Sequence, residues 1–263
     1  MSELNLEEKD KLYLAVQNEI NKHTIQLLKM VRAGYFESFA TGVLVKLENK
    51  EILCTASHVI NGDTPIFLRT VNGTTEVVGQ FNYTDPNNKL IDLAYVVLSP
   101  QMAYILSKTH KFLPSNKIIT RQLGKDEIYL TVGYPVANEH IDKASGQRAT
   151  GTSGFIVTSS NDKVFKYHNF YKELHCVFNL YGKGRDILNK KRKSKLLPLY
   201  GMSGCGIWLI NTTFIDGHPK FDYTLVGIST DFRNGKYHCY VGNRIEYLIT
   251  ALIINEKISI RNL

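Results

Sequence analysis

From residue 35 onward the chain is a succession of short β-favouring runs with no long helix between them. GVLVKL, EILC, IFLR, EVVGQFNY and LAYVVL come first; YLTVGY, FIVTS, HCVFNL, GIWLI, TLVGIS and YHCYVG follow. They are rich in Val, Ile, Tyr and Phe, whose branched or flat side chains suit a pleated surface. Turn-forming residues such as Glu48-Asn49-Lys50, Asn72-Gly73 and Asn234-Gly235 separate them. Such a pattern predicts an all-β fold of barrels or sandwiches. Pro100, Pro114, Ser115 and Asn116 interrupt it, which divides the strands into two sets, 35–98 and 128–242.

Two helices are expected outside these sets. Leu12, Val16, Ile20, Leu27 and Val31 recur at helical spacing, so residues 6–33 read as one amphipathic helix, with His23–Thr24 as the place where it would break. Acids (Glu7, Glu8, Asp10) lie early and bases (Lys29, Arg32) late, as the helix dipole favours, and Gly34 supplies a stop. Residues 243–255 read as a short helix with Asn243 as its N-cap. The expected organisation is an N-terminal helical extension over 1–34, a first β unit over 35–115, and a second over 116–263 that ends in the C-terminal helix.

A chain of 263 residues is long enough for two β units sharing a core. It contains no apolar run of membrane-spanning length. The polar start MSELNLEEKDK lacks the signal-peptide pattern, so a cytoplasmic location is expected. Cys54, Cys176, Cys205 and Cys239 form no C-x-x-C pair and sit in apolar runs, so they are read as buried thiols rather than zinc ligands. No metal or organic cofactor is implied. Of the net charge of +8, residues 181–198 carry +6. The basicity is therefore a local loop feature, and without interleaved aromatics it argues against nucleic acid as the partner.

The stretch GMSGCGIW, 201–208, concentrates glycines around one serine and one thiol. A serine hydroxyl needs a base to become a nucleophile and donors for the oxyanion that attack creates. Flanking glycines let main-chain N–H groups converge, and those of Gly201 and Ser203 are the candidates. His58, in CTASHVI, follows an apolar strand and has small neighbours that leave room for the ring. Asp92, in KLIDLAYVVL, opens an apolar strand, where a carboxylate is costly unless something binds it; an imidazole N–H would. Asp85 and Asp63 are weaker candidates in turn-like surroundings.

Thr55-Ala56-Ser57-His58, Ile91-Asp92-Leu93-Ala94 and Gly201-Met202-Ser203-Gly204 resemble, in that order, the three signatures of trypsin-like (chymotrypsin-fold) serine peptidases. Thr41 to Val45 resembles the family's first barrel strand. Gly133-Tyr134-Pro135 resembles the glutamyl-endopeptidase-like and HtrA-like bacterial members, and Leu225 to Ser229 resembles the strand after the nucleophile. The resemblance, over about residues 35–255, implies two six-stranded antiparallel β-barrels and hydrolysis of peptide bonds in a protein or peptide substrate. It assigns Ser203 as nucleophile, His58 as acid–base and Asp92 as its orienting acid. Gly201 and Ser203 would supply the oxyanion hole, and Ser229 would support the aspartate. Ile228, Ser229 and Thr230 would contact substrate, with 228–231 pairing with its backbone.

Met202 departs from the aspartate of secreted members, so activation by insertion of a new N-terminus is not expected. Cys205 raises a thiol alternative, but the frame Ser203-Gly204-Cys205-Gly206 lacks the leading glycine, which favours Ser203. Leu197 falls near the expected pocket floor and Asp231 near its mouth, which leaves cleavage preference open. The other functional class is a catalytically silent binding module on the same fold. The N-terminal helix or the basic loop 181–198 offers it, or the enzyme, a surface for a regulatory protein.

Overall fold

The computed structural model describes residues 6–62, 64–85, 87–141, 148–179, 199–215 and 218–258. The basic segment 181–198, with Leu197 in it, and Asp63 lie outside the described residues. The chain opens with helix α1 (Leu6–Asn21). Strands β1 (Thr24–Arg32), β2 (Tyr35–Leu47), β3 (Lys50–Thr55), β4 (Ile66–Thr70), β5 (Gly73–Glu76), β6 (Gly79–Tyr83), β7 (Ala94–Leu98) and β8 (Leu113–Pro114) build the first unit. The one-turn helix α2 (Ser57–Ile60) follows β3, and α3 (Pro100–Leu106) follows β7. Strands β9 (Ile128–Gly133), β10 (Glu139–Ile141), β11 (Arg148–Thr150), β12 (Ser153–Ser159), β13 (His175–Asn179), β14 (Gly206–Ile215), β15 (His218–Arg233) and β16 (Cys239–Arg244) build the second. Helix α4 (Asp162–His168) precedes β13, and α5 (Ile245–Glu256) ends the described chain.

The second unit is a closed barrel in the order β12-β13-β16-β15-β14-β9, while β10 and β11 pair apart from it. The first is an open sheet, β5-β4-β1-β2-β3-β7-β6, with β8 joined in parallel to β2. The expected all-β pair of antiparallel barrels with a helix at each end is found, one of them closed and the other a half-barrel because β5 and β6 do not meet.

The expected helix over 6–33 is corrected. It ends at Asn21, and residues 24–32 form a strand that pairs with β2 from Thr24↔Val43 to Arg32↔Tyr35. The β-branched Thr24 and Ile25 favour strand, and the ladder to β2 satisfies the main chain of this segment in that form. Gly34 is not a helix stop. At φ +72° it occupies the β1–β2 hairpin turn, a conformation glycine adopts without a Cβ penalty. The first β unit thus starts at Thr24 rather than residue 35.

Period-two alternation puts the core on both faces of the central strands. Val43, Val45 and Leu47 of β2 face the seam between the units, while Leu44 faces the core of the first. In β14, Trp208 and Ile210 face the seam, and Ile207 and Leu209 face the barrel interior. Helices α1 and α5 close this shared core with Tyr13, Val16 and Ile20 and with Ile245, Leu248, Ile249 and Leu252. Among the described residues, no helix is long and apolar enough to cross a membrane.

Because Ile20 is fully buried in that seam, Ile20→Ala should destabilise the fold by about 2–5 kcal/mol. Urea unfolding followed by Trp208 fluorescence measures this; a loss below about 0.5 kcal/mol would show that α1 does not share the cooperative core.

Candidate active site

The loop before β7 delivers Asp92 to α2. Its carboxylate accepts the main-chain N–H of His58 through Oδ1 (2.9 Å) and meets His58 Nδ1 through Oδ2 (2.6 Å). The Oδ2 contact makes Nδ1 the donor, which leaves Nε2 as the acceptor nitrogen of the neutral ring. The His58 side chain is half exposed (50%) and that of Asp92 less so (32%). The Asp92 hydrogen bond holds the imidazole pKa above its ordinary value; burial opposes it, and the charges of Asp92 and Asp231 add to the rise. A raised histidine pKa stabilises the fold below the free imidazole value, and that contribution is lost as pH climbs through the raised one. Asp85 does not compete for His58: its carboxylate accepts from Asn87 N and Nδ2 within its own turn.

Ser203 lies on the turn between residue 199 and β14. In that turn Met202 N donates to Leu199 O (2.9 Å), Gly204 N to Ser229 O (2.8 Å) and Cys205 N to Met202 O (3.1 Å). Among the described residues, the N–H groups of Gly201 and Ser203 have no acceptor. Gly201 sits at φ +93°, and a Cβ there would fall 2.5 Å from Tyr134 O. The constraint at 201 is thus backbone packing as well as substrate access. Gly204, at φ +85°, is tighter still: a Cβ would lie 2.0 Å from Thr55 Oγ1 and 2.1 Å from Thr41 O.

Thr41 of β2 binds the turn from the other unit. Its N–H donates to Ser203 O (2.9 Å), and its hydroxyl donates to Gly201 O (2.8 Å) while accepting from Tyr134 N (3.0 Å). Thr55, at the end of β3 just before α2, donates to Thr41 O (2.8 Å). The histidine-bearing helix and the serine-bearing turn are thereby tied to one residue.

A cleft of about 320 Å³ opens beside the His58–Asp92 pair, lined among others by Ser57, Asp92, His175, Thr230, Asp231 and Asn243. Thr230 connects it to the nucleophile turn: its carbonyl accepts the Ser203 hydroxyl in a long bond of 3.4 Å. Among the described residues, no hydrogen bond joins Ser203 Oγ to His58.

Three expectations at the cleft are corrected. Ile228 and Ser229 are buried, and their main chain is already spent: Ile228 pairs with Gly206 and with Asn243, while Ser229 N donates to Cys205 O. A substrate strand can pair only from Thr230 onward, where β15 has left β14 and a register shift between Ser229 and Asp231 re-aims the chain. Ser229 does not reach Asp92, since its hydroxyl bonds inside the barrel to Cys205 and Tyr240. Asn243 is not the cap of α5, which begins after Arg244. Its amide instead accepts Asp92 N (2.8 Å) and donates to Leu90 O (2.9 Å). That role was missed because an asparagine before a helix reads as a cap, and nothing local in sequence reveals a partner 151 residues away.

His23, where the expected helix would break, is buried, with Nδ1 on Lys111 O (2.9 Å) and Nε2 on Tyr223 OH (3.1 Å). Cys205 faces the barrel core against Tyr240 OH (3.0 Å), and burial pushes its thiol pKa up to about 12. So protonated a thiol is no nucleophile at neutral pH. Met202 is buried in the same core.

No family model matches this chain, and no curated protein does. Among solved structures it is similar to kallikrein-related peptidase 10, with a TM-score of 0.55 and 16% identity over 90% of this chain and 96% of that one. The fold is trypsin-like: one closed barrel, one half-barrel and a helix at each end. At this identity the likeness concerns the fold alone.

Gly204→Ala should prevent the turn from docking on Thr41 and Thr55. The expected result is a fall in melting temperature by calorimetry; an unchanged one would mean the turn moves freely.

Proposed function

We propose that the protein is a serine endopeptidase acting through Ser203, His58 and Asp92. One observation carries the reading: the N–H groups of Gly201 and Ser203, which have no acceptor among the described residues, lie in the serine-bearing turn beside a cleft that holds an oriented His58–Asp92 pair. Catalysis by this triad requires the Ser203 hydroxyl to leave Thr230 O and bond Nε2 of His58. The imidazole takes the hydroxyl proton as Oγ attacks the scissile carbonyl carbon. The oxyanion is stabilised by the N–H groups of Gly201 and Ser203. The imidazolium then gives its proton to the departing amine, leaving an acyl-enzyme that water, activated by the same imidazole, hydrolyses. Substrate backbone pairs with β15 from Thr230 onward. Four unpaired thiols, all buried, suit a cytoplasmic setting.

The second reading is a catalytically silent module on the same fold. It is favoured by the Ser203–Thr230 bond, which holds the hydroxyl on a carbonyl rather than on the base.

A fluorophosphonate should form an adduct at Ser203, located by mass spectrometry and absent in His58→Ala. No adduct under any condition would favour the silent module. Iodoacetamide should leave Cys205 unmodified in the folded protein; peptide cleavage that survives Ser203→Ala and disappears on Cys205 alkylation would reverse the choice of nucleophile. Since the base must be neutral and its pKa is raised, the acid limb of kcat/KM should lie above about 6.5.

A further inference from the structure

We infer that Asn243 is the positioning residue of the acid–base pair, a side chain of the closed barrel that holds the Asp92 segment of the half-barrel in register with the nucleophile. The inference rests on the proposed roles of His58 and Asp92 and extends them to a residue outside the triad.

Asn243 is built as a rigid anchor. Its main chain lies between two neighbours in the barrel, opposite His175 on β13 and Ile228 on β15. It is almost fully buried, so its amide has no solvent alternative to the bonds it makes. The two ends of that amide are used differently. Oδ1 accepts from Asp92 N at 2.8 Å, while Nδ2 donates to Leu90 O at 2.9 Å and, more weakly, to Leu174 O at 3.4 Å. One donor and one acceptor thus grip both ends of the tripeptide Leu90–Ile91–Asp92. A carboxylate, donating nothing, or an ammonium, accepting nothing, cannot replace both.

The grip matters because the Asp92 segment precedes β7 and its remaining bonds at Asp92 and Leu93 run to its own unit, while the His175 ring of the closed barrel meets only the Leu90 main chain. Leu93 N reaches Thr84 Oγ1 at 3.3 Å, and Thr84 N donates to Leu93 O. Those bonds set Asp92 relative to the half-barrel, while the Ser203 turn leads into β14 of the closed barrel and is tied to the half-barrel through Thr41. Asn243, on β16 beside the strand that carries Thr230, adds a second tie between the two frames, one that acts directly on the Asp92 segment. Loss of the amide frees the Asp92 main chain to shift, and the two-point contact with His58 at 2.6 and 2.9 Å loosens.

The test reads the His58 imidazole directly by NMR titration of the full chain, so it needs no activity. The groups facing or lining the same cleft are Asp85, Lys89 and Asp92 from the half-barrel, and His175, Asp231 and Arg233 from the closed barrel. All but Asp92 are unchanged in the variants. Asn243→Leu keeps the shape and removes both hydrogen bonds; Asn243→Ser, whose hydroxyl is too short to span both partners, serves if the leucine variant does not fold. The expected result is that the His58 pKa falls toward the ordinary imidazole value in the Asn243 variant, as it does in Asp92→Asn. Where peptide cleavage is measurable, kcat should drop about 10²-fold with KM little changed, the pattern of a displaced catalytic group. A His58 pKa retained in a folded Asn243 variant but lost in Asp92→Asn overturns the inference and leaves the triad standing. A pKa unmoved even by Asp92→Asn overturns both.

Discussion

Thr41 is the point on which the candidate site depends. It is fully buried, and a buried hydroxyl is tolerable only when its hydrogen bonds are made. Here the hydroxyl, the N–H and the carbonyl are all engaged: with Gly201 and Tyr134, with Ser203, and with Thr55. Three of those partners belong to the candidate site: Gly201 and Ser203 lie in the serine-bearing turn, and Thr55 leads into the helix of His58. The relation between serine and histidine is therefore set by interior hydrogen bonds rather than by surface loops. A surface loop would let it drift; a satisfied interior threonine does not.

The β content, the division into two strand sets and the chain order of histidine, aspartate and serine were legible in the sequence. Alternation and turn residues are local signals, and the three motifs are short and self-contained. What was not legible depends on partners far away in the chain. TIQLLKMVR carries apolar residues at spacings that satisfy a helix and a strand alike; only pairing with β2 decides between them. Ser229 and Thr230 are adjacent, yet one faces the barrel interior and the other the cleft, and a register shift invisible in the sequence separates them. The burial of His23 was not legible because its partners, Lys111 and Tyr223, come from elsewhere in the chain. Asn243 was misread for the same reason.

The contrast between Ser203 and Cys205 shows how one turn separates a reactive group from an inert one. Two residues apart, they enter different environments. Cys205 begins the interior face of β14 and is sealed against Tyr240. Ser203 stays half-buried on the cleft side with uncommitted main-chain donors beside it. The thiol is intrinsically the better nucleophile, but in a dry apolar barrel it keeps its proton. Environment, rather than side-chain chemistry, sets the serine apart from the thiol.

Helix α1 has a bearing on how such a chain can mature. Tyr13, Val16 and Ile20 complete the seam that both β units share. Clipping the backbone just after Asn21 and releasing the helix would open a greasy trough running the length of the junction. Trimming at that boundary would therefore loosen the very joint that aligns the two halves.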